Sequence, residues 1–276
     1  MTAGGLARER FAAVMARDPI PLDEAALAIA AEEYPHLDEA AYLARLDALA
    51  ARVVARSPAP ARAASLLRAL REVLAGEEGM HGGSTDYDDP RSSFLNEVLD
   101  RRVGLPITLS VVYMEVGRRA GVSLDGVGMP GHFLVRYLSP SGAEIFVDAF
   151  HGGEMLSADD CLSRYRERTG RDLDRRLLGP STPGQIVLRM LGNLRRLYTA
   201  RKDDLRAWWV LDRILLAAPS QLAALRDRGL AAARLGAGRS AARDLETYLA
   251  RAPDAQDSDS VRATLAQLHD GPELAN

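Results

Sequence analysis

Apolar residues recur every three or four positions through most of this chain, and two short runs near its middle alternate instead. Ala26, Leu27, Ile29 and Ala30 follow Asp23 at helical spacing. Tyr42, Leu43, Leu46, Leu49 and Val53 follow Asp38, a residue suited to capping a helix N-terminus. Ser57-Pro58-Ala59-Pro60 interrupts the periodicity, and Leu66, Leu67, Leu70, Val73 and Leu74 make a third stripe. All three stripes read as packing faces, so residues 1–75 are expected to form an N-terminal helical segment.

A Gly-, Asp- and Ser-rich loop covers 76–92, with turn signals at Gly82-Gly83 and Asp89-Pro90. A helix from Ser92 or Ser93 to Arg102 is expected next, then an apolar helix opening at Pro106 and running to Arg119 before Gly121. The alternating runs are His132–Leu138 and Ala143–Phe150; Ser139-Pro140-Ser141-Gly142 between them reads as a hairpin turn. Ser157 with Asp160 three residues on has the form of a capping box for another helix.

From about residue 188 the pattern is helical throughout and repeats. Pro219 and Pro253 stand 34 residues apart, as do Ala207 and Ala241, and Leu211 and Leu245. That is the tetratricopeptide period. Small alanines let paired helices approach, and each proline stops a second helix. Two degenerate repeats are expected, with Gly229 at a signature position of the second and a terminal helix around Val261–Leu268. Trp208 and Trp209 fall at helix-interior positions; packing is the default, with one of the two available for partner contact.

Composition narrows the function classes. The chain has 276 residues, 47% of them hydrophobic, a net charge of −3 and a pI near 6.0. This charge balance argues against a nucleic-acid or anionic-membrane binder. Lys202 is the sole lysine among 35 basic residues, which fits the codon bias of a GC-rich genome. No run approaches the ~18 apolar residues of a membrane span, and the N-terminus lacks the apolar core of a signal peptide. Cys161 is the one cysteine, which excludes an intramolecular disulfide and a cysteine-based zinc cluster. A cytoplasmic location is the expectation.

The chemistry centres on the middle of the chain. A hairpin turn near Pro140–Ser141 sets His132 across from Asp148 within about one residue, close enough for an imidazole–carboxylate hydrogen bond. The helix Gly104-Leu105-Pro106-Ile107-Thr108-Leu109-Ser110, followed by the Pro130-Gly131-His132-Phe133-Leu134-Val135-Arg136 and Phe146-Val147-Asp148 strands, resembles the core of the transglutaminase-like superfamily of papain-type cysteine enzymes. Tyr87 to Arg102, the Leu-Pro-Ile-Thr-Leu-Ser stretch at 105–110 and Asp148-Ala149-Phe150-His151-Gly152-Gly153 resemble one bacterial branch in particular. These are the Sir-type transglutaminase-like proteins with a tetratricopeptide tail, whose core also occurs in an F-box protein.

The resemblance implies an α+β fold: N-terminal helices (1–75), a papain-type core with a small antiparallel sheet (76–187) and tetratricopeptide-like helical repeats (188–276). In such enzymes a thiol at a helix N-terminus is activated by the helix dipole, a His moves the proton and an Asp orients the His. The resemblance puts His132 and Asp148 in the last two places and Pro106 in the place of the thiol. Proline starts a helix well and attacks nothing. The reading is therefore a pseudoenzyme that binds a protein or peptide partner through the cleft, the repeats or both, with Asn96, His132 and Asp148 as binding residues. Asn96, Glu97 and Asp100 lie on the preceding helix; Asn96 and Asp100 share a face and either bond the loop or line the cleft.

The alternative is a hydrolase or acyl-transfer enzyme using Ser110, one turn beyond Pro106, or a metal-bound water, with His132 and Asp148. Ser110 otherwise bonds the carbonyl one turn back, and Thr108 lies on a different face. Cys161 falls in the first turn of a helix beside Asp159 and Asp160, which oppose a thiolate. His132, Asp148, His151 and Glu154 are of metal-ligand type, and so are His81, Asp86, Asp88 and Asp89, but no His-x-x-x-His spacing supports a site. No metal and no cofactor are expected. His36 and His269 stand outside any constellation.

Overall fold

The computed structural model describes residues 3–58, 62–83 and 87–270. Ala59 and Pro60 of the expected helix break, and Asp86 of the loop, lie outside them. Twelve helices and one four-stranded sheet are described, an α+β architecture, and the chain divides into two compact units at Met190/Leu191. Among the described residues no helix is long and apolar enough to cross a membrane.

In the first unit, α1 (Ala3–Met15), α2 (Leu22–Ala30), α3 (Glu39–Arg56), α4 (Ala63–Arg71) and α5 (Leu95–Arg101) precede the central α6 (Pro106–Ala120). Asp38 caps α3 as expected, accepting from Ala41 N at 3.1 Å. Helix α6 is buried almost all round, the signature of a helix enclosed by other elements; it contacts α2, α3, α4, α5 and the sheet. Pro106 is its first helical residue after extended Leu105, and Gly121 closes it at φ +90°, the left-handed cap that glycine takes without strain. Between α4 and α5 the chain makes a π-helical turn, Glu72–Glu77, and a 3₁₀ turn, Pro90–Ser93, capped by the Asp89 carboxylate.

The strands β1 (Asp125–Met129), β2 (His132–Leu138), β3 (Glu144–Asp148) and β4 (Glu154–Leu156) form an antiparallel meander in sequence order. β1 and β4 were not expected from the sequence. Gly126 and Gly128 weaken the strand signal of β1, and close packing accounts for both. A Cβ on Gly126 would come 2.8 Å from Ile186 Cδ1, and one on Gly128 would come 2.8 Å from Arg189 Nη1. β4 is three residues long, too short to show alternation. One sheet face carries Val127, Met129, Leu134, Phe146 and Leu156 and packs against Ala158 and Cys161 of α7 (Ala158–Thr169) and against Leu178. The Ser157–Asp160 capping box opens α7 as expected.

Helix α8 (Pro183–Ala200) contains the division between the units. The second unit continues through α9 (Asp204–Ala217), α10 (Leu222–Arg234), α11 (Gly238–Arg251) and α12 (Ser258–Asp270). The 34-residue period is visible in the backbone: α9 and α11 begin and end 34 residues apart. Their C-caps Ala218 (φ −146°, ψ 80°) and Ala252 (φ −142°, ψ 63°) have nearly one geometry, because the proline that follows each bars the α-helical region. A Cβ on Gly229 would lie 2.8 Å from Leu245, so the glycine sets how closely α10 and α11 approach. Trp209 is buried and meets Tyr198 edge-on at 6.3 Å, while Trp208 is half-buried. Arg228 joins the buried Asp244, through two bonds of 2.7 and 2.8 Å, to the buried Asp212 at 2.7 Å.

Glu78 ties the loop before the site to two helices, pairing with Arg52 of α3 and with Arg102 just past α5. The hydrogen bond from Arg52 is the main reason its carboxyl titrates below the usual 4.5. A carboxyl depressed in the folded state stabilises the fold above its unfolded pKa, and that stability is lost as pH falls through the folded value. Glu78→Gln is therefore expected to lower the urea midpoint at pH 7, with the gap to the parent narrowing as pH falls below 4.5; a gap that does not narrow would refute the pairing.

Candidate functional site

Two tight turns bring the polar residues together at one end of the sheet. Pro130-Gly131 links β1 to β2, with Gly131 at φ +72°, and His132 is the first residue after it. Arg189 of α8 donates to the carbonyls of Met129 and His132, each at 2.7 Å, and Arg168 of α7 donates to that of Pro130 at 3.0 Å. At the other side, Asp148 ends β3 and the chain turns through Ala149–Gly153. Gly152 and Gly153 adopt φ +68° and +69°, and Gly153 N–H donates to the Asp148 carbonyl at 2.8 Å. This turn points His151 back at Asp148.

The β2–β3 register pairs Val135 with Val147. Continued by one residue, it sets Leu134 opposite Asp148, so His132 and Asp148 are diagonal neighbours on one face and not the near-direct pair expected. The hairpin is centred on Ser141, half a residue beyond the Pro140–Ser141 midpoint that its turn sequence suggested. Diagonal neighbours remain within reach of a long side chain, and His132 Nε2 lies 2.8 Å from Asp148 Oδ2. The same oxygen lies 2.9 Å from His151 Nδ1, and Asp148 Oδ1 accepts from His151 N–H at 3.2 Å.

Burial works against a charge on Asp148, but the bonds and charges of His132, then His151, outweigh it and hold the carboxyl below its ordinary value. Phe150 supports both rings edge-on, with centroids 6.1 Å from His132 and 5.1 Å from His151. A Cβ on Gly82 would fall within 2 Å of Phe150 Cδ2, so the loop backbone lies directly against that ring. A pocket of ≈ 130 Å³ opens beside the triad, lined by Met129, His132, Leu134, Asp148, His151, Leu156 and, from α7, Cys161, Arg164, Tyr165 and Arg168.

The lining places the other sequence candidates. Pro106, Thr108 and Ser110 do not line this pocket; all three are buried in α6. The expected back-bond of Ser110 is absent, since its Oγ and that of Thr108 are buried without a hydrogen-bond partner. Asn96 is likewise buried with its Oδ1 unpartnered, and it lines a different, open groove of ≈ 730 Å³ together with Tyr34, Tyr42 and Asp100. Asp100 accepts there from Tyr42 Oη and Arg45, so Asn96 does not join His132 and Asp148.

Glu154 is engaged by Arg164 through bonds of 2.8 and 2.6 Å and stays out of the triad. Cys161 does reach the pocket wall, but burial first, then Asp148 and Asp160, push its thiol up to about 12. His81 bonds the Gly79 carbonyl, and Asp89 is occupied with Arg91 and Arg101. His36 lines the Asn96 groove, and His269 lies 3.5 Å from Glu246.

Sequence reasoning missed Phe150, Arg168 and Tyr113 as supports. Tyr113 extends from α6 so that its Oη would lie 2.6 Å from a Cβ on Gly153. The Gly152-Gly153 pair was the available signal, since consecutive glycines mark a turn with left-handed backbone or a close approach.

Residues 40–192 match the family described as the transglutaminase-like superfamily, more than half of the chain, and 194–266 match the tetratricopeptide repeat. The chain belongs to the transglutaminase-like superfamily. A UPF0162 protein of Xylella fastidiosa is 40% identical over 260 residues, 91% of each chain. A UPF0162 protein of Pseudomonas aeruginosa is 35% identical over 215 residues, covering 74% of this chain and 75% of its own. Human F-box only protein 21 is 32% identical over 138 residues, 47% of this chain and 21% of that protein. The transglutaminase-like core followed by tetratricopeptide repeats thus follows the order the sequence led one to expect.

Within this transglutaminase-like core, Gly152 and Gly153 offer an internally controlled test. Nothing stands within 4 Å of a Cβ on Gly152, whereas one on Gly153 meets Tyr113 Oη at 2.6 Å and Arg71 Cγ at 3.1 Å. Both alanine variants carry the left-handed strain, worth about 1 kcal/mol or more. Gly153→Ala is expected to lose about 1–3 kcal/mol beyond Gly152→Ala through overpacking, read by chemical denaturation; equal losses would contradict the Tyr113 contact.

Proposed function

We propose that this chain is a non-catalytic, protein-binding member of the transglutaminase-like superfamily. The observation that carries the reading is the residue at the head of α6: Pro106 occupies the first helical position, where enzymes of this superfamily are expected to hold their thiol. The ring carbons of a proline carry no lone pair and its nitrogen's is delocalised into the peptide bond, so the residue cannot attack a carbonyl. The imidazole–carboxylate pair is retained at 2.8 Å, yet no activated nucleophile faces it. Ser110 is buried outside the pocket, and the Cys161 thiol stays protonated near neutral pH.

Binding is supported by the shape and chemistry that remain. The pocket has a partly apolar wall of Met129, Leu134, Leu156 and Tyr165, with His132, His151, Arg164 and Arg168 at its polar side. Its ≈ 130 Å³ suits one side chain of a peptide better than a drug-sized ligand, which takes about 300 Å³ or more. The tetratricopeptide unit adds the kind of surface that helical repeats use for protein contacts. A hydrolase or acyl-transfer reaction using Ser110 or a metal-bound water, with His132 and Asp148, is the competing reading, and it makes the opposite prediction.

A fluorophosphonate probe and an amine-incorporation assay on a glutamine peptide are expected to give no signal above the denatured chain. Labelling that disappears in Ser110→Ala would overturn the non-catalytic reading. For binding, peptides selected on the full chain from a random library are expected to lose at least about tenfold in affinity, or 1.4 kcal/mol, in Tyr165→Ala or His151→Ala. Peptides indifferent to both changes would remove the pocket from the proposal.

A further inference from the structure

His132, Asp148 and His151 come from three places in the chain, the start of β2, the end of β3 and the turn after it, and converge on one point. Each offers a donor atom, and the three atoms lie within 4.8 Å of one another. The two measured edges, 2.8 and 2.9 Å from Asp148 Oδ2 to the imidazole nitrogens, are close to those of a coordination shell. With metal–ligand bonds of about 2.0–2.2 Å, neighbouring donors stand about 3.0 Å apart in an octahedron and about 3.4 Å apart in a tetrahedron. We propose that His132, Asp148 and His151 form a binding site for a divalent transition-metal ion.

The chemistry of the donors selects the class of ion. Two imidazoles and one carboxylate suit Zn²⁺, Co²⁺ or Ni²⁺; Mg²⁺ and Ca²⁺ require mostly oxygen. The support around the donors has the form that orients metal ligands. Asp148 Oδ1 accepts from the backbone N–H of His151, leaving Oδ2 as the inward donor. The His132 backbone is held by Arg189, and Phe150 buttresses both rings. Such outer partners fix ligand orientation.

Access is also met. The His151 side chain is 59% exposed, so an ion can reach the site from solvent, and the adjoining pocket leaves room for water or another ligand on the ion. The two guanidinium groups of the pocket wall are both engaged elsewhere: Arg164 pairs with Glu154, and Arg168 donates to the Pro130 and Gly131 carbonyls. Entry of the ion replaces the two N–H···Oδ2 hydrogen bonds by metal bonds. A neutral imidazole frees its ligating nitrogen by moving the proton to the other ring nitrogen, and an imidazolium does so by releasing one proton to solvent. The inference does not rest on the binding role proposed above.

The untagged full-length chain, stripped with EDTA, would be titrated with ZnCl₂ by calorimetry and with CoCl₂ by visible absorption. One ion per chain is expected, with a melting temperature that rises with Zn²⁺, falls back with EDTA and does not respond to equal Mg²⁺. His151→Gln changes a side chain that is 59% exposed, and circular dichroism of the variant checks that the fold is kept. The substitution is expected to weaken Zn²⁺ binding by at least about tenfold, the lower end of what even an outer partner contributes. Asp148→Asn should do the same, and His36→Gln should change nothing. Absence of Zn²⁺ binding, or binding unaltered by both His151→Gln and Asp148→Asn, would overturn the proposal.

Discussion

One carboxylate oxygen, Asp148 Oδ2, accepts from two imidazoles at once, and the arrangement of the core's sheet end depends on it. A carboxylate in so buried a position needs partners to remain charged. His132 and His151 supply them, which fixes the rotamers of both rings and the path of the Ala149–Gly153 turn. Removing Asp148 would leave both ring N–H groups and the His151 backbone N–H without their acceptor. The geometry is therefore mutually determined: the register delivers His132 and Asp148 diagonally, and the two left-handed glycines fold His151 back to complete the set.

The central helix imposes the second constraint. α6 is enclosed on nearly every side, so its hydroxyls sit within packing and not at an accessible surface. Pro106 gives it a well-formed start, and the burial of Ser110 leaves that hydroxyl outside the His132 pocket. The wall facing the imidazole–carboxylate pair is supplied by α7, whose Cys161 thiol is kept neutral by burial and by the neighbouring carboxylates. Proton-handling groups are present without an activated nucleophile among the residues that line the pocket. This combination is what the proposed binding role rests on. Under the metal inference, the same three side chains hold an ion instead of a proton.

Much of this was legible in the sequence where a residue type has a local cause. Asp38, Pro106, Gly121 and the Ser157–Asp160 box announced helix ends through chemistry that acts within one turn. The 34-residue period of Pro219 and Pro253 reappears in matched C-caps because the restriction proline places on its predecessor is also local. The pairing of His132 with Asp148 was readable from hairpin arithmetic, but the offset was not: a half-residue shift in turn centre widens an offset of one residue to two and makes near-facing residues diagonal. Strand β1 escaped notice because its glycines serve the approach of Ile186 and Arg189, more than fifty residues later. Asn96 fell on the expected helix, yet it lines another groove, since helical periodicity gives a face and not its neighbour. The placement of Cys161 beside the triad, and the reach of Tyr113 to Gly153, depend on tertiary packing that no local pattern encodes.

The shared-oxygen geometry makes a direct spectroscopic demand, because a carboxylate can only accept. When neutral, His132 must carry its proton on Nε2 and His151 on Nδ1, and both nitrogens must sense Asp148. Long-range ¹H–¹⁵N correlation of the histidine rings in the metal-free chain reads this directly. The account predicts two distinct tautomers, with both protonated-nitrogen signals shifting in Asp148→Asn. Rings averaging between tautomers, or indifferent to loss of the carboxylate, would contradict it.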